Sequence, residues 1–167
     1  MKYNTEFTTP KSLTNSNFQK ILMFYLFECP VAGKSQRGKT FEQFGYAGAS
    51  SYGTLKKELL NASTPSLSKN YMPSDKNELV ANFEKSERIT YPDEYCVFLK
   101  TDEKSVIKSL FSAIRNSFAH GSFNVKSYKG TRIYYFSNYK DYEKARIVLY
   151  EKTLLLWIKI INGKENK

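Results

Sequence analysis

The chain has 167 residues, 41% of them hydrophobic and 25% charged, with 13 Tyr, 12 Phe and a net charge of +10 at pH 7. That length and apolar content can bury a full core, which excludes a disordered chain, and the positive balance suits a polyanion: nucleic acid first, an anionic membrane surface second. Two cysteines and one histidine exclude a disulfide scaffold, a thiolate cage and a multi-histidine metal centre within one chain, so no metal or cofactor is expected.

The elements read as follows, within one domain over residues 1–167. The first residues hold no apolar signal segment, and the run Ile21–Phe27 is too short to span a bilayer. The expectation is a cytoplasmic, reduced protein with no membrane partner. Ser16 and Gln19 make a capping-box pattern; Phe18, Ile21, Leu22, Tyr25, Leu26 and Cys29 follow at helical spacing until Pro30. Residues 31–53 carry five glycines together with Lys34, Arg37 and Lys39, and read as a long basic loop. A short helix over Tyr52–Asn61 and a Ser/Pro-rich loop over 62–74 come next. Asp75–Arg88 reads as a helix with Leu79, Val80 and Phe83 inward. Residues 89–100 are unassigned, although Tyr95, Val97 and Leu99 alternate as a strand would.

A helix is expected over Asp102–His120, with Thr101 as N-cap and Gly121 as terminator. A hairpin follows: Phe123 and Val125 alternate, the chain turns at Lys129-Gly130, and Ile133 and Tyr135 alternate again. A long helix over 139–162 closes the chain. Its run Leu154–Ile158 is apolar on most faces, as in a core helix or an oligomer interface. The fold class is mainly α: a helical bundle with a small β-hairpin before the long C-terminal helix.

Two motifs compete for the chemistry. Gly33-Lys34-Ser35-Gln36-Arg37-Gly38-Lys39-Thr40 matches the phosphate-binding pattern G-x-x-x-x-G-K-[ST]. A true P-loop needs a buried strand before it and a helix after it. The preceding segment has helical periodicity, the following one holds three glycines, and no strand ends in a clean Walker-B aspartate. The context favours a basic loop that touches RNA phosphates through Lys34, Arg37 and Lys39, with nucleotide binding as the alternative.

The second motif is Arg115-Asn116-Ser117-Phe118-Ala119-His120, followed by Gly121. On a helix, Val106, Ile107, Leu110, Phe111, Ile114 and Phe118 form an apolar face. Ser105, Ser109, Ser112, Asn116 and His120 line the opposite side, with Arg115 beside them. This Arg-Asn-x-x-x-His pattern near a helix end resembles the signature of the HEPN superfamily, small α-helical domains that include many metal-independent ribonucleases, toxins and antiphage effectors. The resemblance covers mainly residues 102–162. Members paired with a nucleotidyltransferase antitoxin often carry a tyrosine two positions after the histidine, where this chain has Ser122.

The resemblance implies an endoribonuclease with Arg115, Asn116 and His120 as catalytic residues. It also implies a homodimer with a composite active site, and an antitoxin or sensor as a further partner. The residue types suit that chemistry. Cleavage through the 2′-hydroxyl needs a base, an acid and positive charge on the phosphorane-like transition state. Imidazole does either proton job near neutral pH, and a guanidinium grips phosphate at two points. One chain supplies one imidazole, so two-imidazole chemistry requires a second copy, with the serine–Asn116–His120 face at the interface. Tyr128, Tyr134 and Phe136 are candidate stacking platforms for unpaired bases. A non-catalytic RNA- or partner-binding module is the other reading.

Overall fold

A computed structural model describes residues 14–35, 37–90, 93–101 and 105–163. The first element among the described residues is α1 (Ser16–Leu22), which runs on as a π-helical turn over Met23–Phe27. Then come α2 (Gly48–Asn61), α3 (Pro65–Lys69), β1 (Tyr71–Ser74), α4 (Leu79–Glu87) and β2 (Tyr95–Leu99). The chain continues through α5 (Val106–Ala119), β3 (Phe123–Tyr128), β4 (Thr131–Tyr139), β5 (Glu143–Tyr150) and α6 (Glu151–Gly163). The strands form one mixed sheet in the order β1-β2-β5-β4-β3, with β1 parallel to β2 and every other pair antiparallel.

The sheet corrects the expected class. The chain is an α/β protein, not a mainly α bundle with one small hairpin. The hairpin itself forms as its alternation predicts: Tyr128 pairs with Thr131, and Lys129 and Gly130 both take positive φ, 47° and 77°, as a two-residue primed turn requires. The predicted helix over 139–162 does not form as one element. Its first part is the end of β4 and all of β5, and only Glu151–Gly163 is helical. The reason lies in burial. Ala145, Ile147 and Leu149 face the main core, while Arg146 and Val148 are buried on the other face of the sheet. A strand covered on both sides shows no apolar–polar alternation.

Other boundaries move for local reasons. Asn15, one residue before the expected cap, accepts from the Phe18 amide at 2.9 Å. The loop over 62–74 hides α3 and β1, and α2 begins a turn early at Gly48. Helix α5 is capped by Ser105, not Thr101; Thr101 donates to Ser109 instead. Asp102 and the two residues after it lie outside the described residues.

Helices α1, α2, α5 and α6 pack on one sheet face around a core that runs from Phe18 to Ile161. Phe111 of α5 sits at its centre, with Phe24, Tyr25, Phe41 and Trp157 within 5.1–6.5 Å by ring centroid. Helix α4 covers part of the opposite face through Leu79 and Phe83 against Val97. There the Arg146 guanidinium lies 4.8 Å over the Phe83 ring and pairs with Glu87 and Glu143. Among the described residues, no helix is long and apolar enough to cross a membrane.

Candidate functional site

Helix α5 buries an unbroken stretch from Ser109 to Ile114, and its C-terminal end carries the Arg-Asn-x-x-x-His motif. The end is shaped by glycine. Gly121 takes φ +65°; its amide bonds to the Phe118 carbonyl and the Ser122 amide to the Ser117 carbonyl. That pair of bonds is a Schellman ending, and it fixes His120 as the C-cap residue. The His120 side chain is exposed and has no hydrogen-bond partner among the described residues.

Arg115 is half-buried. One Nη donates to the Asn116 side-chain oxygen at 3.4 Å, while its Nε is buried without an acceptor. The guanidinium lines a cleft of about 470 Å³ together with Lys34, Ser35, Arg37, Gly33, Leu26 and Phe27. The structure therefore joins the two motifs that compete in the sequence. Lys34 and Arg37 share the cleft with Arg115, and Lys39, also exposed, is not among its lining residues. Among the described residues, no carboxylate lines the cleft, and Lys34, Arg37 and Arg115 make no ion pair.

The loop is fastened on both sides. The Ser35 hydroxyl donates to the Phe27 carbonyl and accepts from the Arg37 amide. A Cβ on Gly38 would lie 2.3 Å from the Glu28 carbonyl oxygen, so only glycine permits this approach of loop to helix. Further along, buried Phe41 donates its amide to the Pro30 carbonyl. Lys108 of α5 and Tyr52 of α2 both donate to Glu42, and the Lys108 ammonium lies 4.8 Å over the Tyr52 ring. Partial burial raises the Glu42 carboxyl, but those hydrogen bonds and the Lys108 charge more than offset it and leave it at about 2.

This is not P-loop geometry. A π-helical turn, not a strand, precedes Gly33, and a bonded turn at Thr40–Gly45 follows it. Gln36 lies outside the described residues. Below the cleft, burial pushes the Cys29 thiol up to about 11 although Arg115 and Lys34 pull it down, so it is no nucleophile at neutral pH.

Two expectations about surfaces need correction. Ser105, Ser109 and Ser112 are buried inside the chain, and Ser109 is bonded to Thr101. They are not free to line an interface, which leaves Asn116 and His120 of that face. Tyr134 and Phe136 are fully buried in the core, so neither can stack on a base; Tyr128 is 41% exposed. Conversely, Phe27, 44% exposed, lines the cleft and is not among the residues the sequence singles out. Helical spacing does not mark it: Phe24 and Phe27 both fall off the apolar stripe, and of the two Phe24 is buried.

Comparison with known proteins returns no match: no family model, curated protein or solved structure is similar to this chain.

Proposed function

We propose that this chain is a metal-independent endoribonuclease that cleaves RNA through the 2′-hydroxyl. One observation carries the reading: three cations without carboxylate partners among the described residues, Arg115 among them, converge on a cleft beside the helix end that holds the lone imidazole. Arg115 grips the scissile phosphate and neutralises charge that develops there. Asn116 holds the guanidinium from behind. The 2′-oxygen attacks phosphorus, the bond to the 5′-oxygen breaks, and the products are a 2′,3′-cyclic phosphate and a 5′-hydroxyl. His120 performs one proton transfer, and His120 of a second copy performs the other.

The resemblance of the Arg-Asn-x-x-x-His motif supports the same activity and, by itself, a toxin or antiphage role with an antitoxin or sensor partner. A cytoplasmic, reducing compartment belongs to this reading; Cys29 and Cys96 are both unbridged and buried.

The test is RNA cleavage in EDTA. Wild-type protein cuts; His120→Ala loses roughly 100- to 10,000-fold, the range for a removed proton-transfer group, and Arg115→Ala loses roughly 100- to 1,000-fold, the range for one removed donor to the developing charge. Activity per chain falls on dilution to a monomer. Full activity of His120→Ala, or of a strict monomer, contradicts the shared two-imidazole site.

One observation favours a second reading, a non-catalytic RNA-binding module. His120 is not among the cleft's lining residues, and on an ideal helix it projects about 140° away from Arg115. Tight, salt-sensitive binding without cleavage is the outcome that selects it.

A further inference from the structure

We propose that the cleft lined by Lys34, Ser35, Arg37, Phe27 and Arg115 of helix α5 is a pocket for one nucleotide of single-stranded RNA, with phosphate against Lys34, Arg37 and Arg115 and the base on the Phe27 ring. The inference takes its ligand class from the ribonuclease reading above. It adds a binding subsite and a base platform which that reading does not require.

The electrostatics come first. Like charges brought together around one small cleft repel unless a counter-charge sits among them. Here the described residues provide none: the lining holds three cations, one hydroxyl and apolar groups, and those cations make no ion pair. A ligand phosphate supplies the missing charge. Arg115 presents a planar fork for two-point contact, and Lys34 and Arg37 add point and fork donors.

The pocket is also built in advance. Ser35 ties the loop to the Phe27 carbonyl and positions the Arg37 amide, Gly38 allows the loop to press against Glu28, and Glu42 anchors the loop's far side to α5. A preformed loop loses less entropy on binding than a free one. At about 470 Å³ the cleft falls within the range of small-molecule sites and exceeds what a bare phosphate needs.

The apolar wall decides between a phosphate alone and a whole nucleotide. Leu26 and Phe27 line the same cleft. The π-helical turn buries Phe24 and Tyr25 and leaves Phe27 44% exposed. Its ring makes no aromatic or cationic contact among the described residues. An exposed ring beside unpaired cations is the arrangement that stacks a base and holds its phosphate, and it tolerates any base because each has a π-face.

The experiment separates this pocket from catalysis by using a short single-stranded DNA oligonucleotide, which lacks the 2′-hydroxyl and cannot be cut by the proposed route. Phe27→Ala is expected to weaken binding roughly tenfold, with the salt dependence unchanged. Phe27→Trp restores it. The double variant Lys34→Ala/Arg37→Ala lowers the slope of log affinity against log salt by about 0.7, the value for one lost phosphate contact. These side chains are exposed or half-buried, and a thermal melt matched to wild type confirms the fold. Wild-type affinity in Phe27→Ala overturns the base platform, and an unchanged salt slope in the double variant overturns the pocket. Intact binding with no RNA cleavage keeps the pocket and removes the ribonuclease; cleavage lost in His120→Ala with oligonucleotide binding unchanged keeps both.

Discussion

At the scale of single residues, Glu42 shows how one carboxylate places a loop of the site. It joins Lys108 of α5 and Tyr52 of α2, and these partners lower its carboxyl from the ordinary 4.5 to about 2. A carboxyl held low in the folded state stabilises the fold fully above its unfolded value, and this contribution fades as pH falls from about 4.5 toward 2. Glu42→Gln is therefore expected to melt below wild type at pH 7, with the gap closing across that acid range. Thermal melts at pH 7, 4 and 2.5 check it, and a gap independent of pH contradicts the assignment. Because Glu42 is exposed, salt should also shrink the effect. The motif residues themselves were legible: Arg115, Asn116 and His120 stand at the helix end where the sequence places them, and Gly121 ends the helix as expected. Phe27 was not, because a helical stripe at 3.6-residue spacing cannot show that a π-helical turn follows Leu22 and leaves this ring outside.

At the scale of elements, the loop, the first helix and α6 meet on α5 through Phe111. Its ring is fully buried among four rings from three segments. Phe111→Ala is expected to cost about 3–5 kcal/mol, the range for removing a buried aromatic side chain from a packed core. Chemical denaturation measures this directly, and a loss below 1 kcal/mol contradicts the central role. Helix α5 and the β3–β4 hairpin were readable because each exposes one face and so displays its period. Strand β5 was not: Lys144, Ala145 and Arg146 are compatible with a helix, and Ile147 to Leu149 are buried without alternation. Tertiary burial between α4 and the main helical layer overrides local preference there. Strand β1 escaped because it is four residues long and contains Pro73, which edge strands tolerate.

At the scale of the whole molecule, a surplus of ten positive charges suits polyanions without selecting among them. Selection begins where the fold concentrates charge. The sheet supports α5 from beneath, α5 presents Arg115 to the basic loop, and its terminus presents His120 to solvent. The α/β fold was outside the sequence expectation, and the site does not depend on that error: the motif needs a buried helix with a sharp end, and either architecture supplies one. The central claim is that the ribose 2′-hydroxyl is the nucleophile. The most direct measurement is cleavage, in EDTA, of a single-stranded RNA in which the nucleotide at the mapped cut is replaced by its 2′-deoxy form. The account predicts no cut at that position, and 2′,3′-cyclic phosphate ends at the same position of the all-ribose strand. Cleavage at the deoxy position, or products ending in a free 3′-hydroxyl, would contradict it.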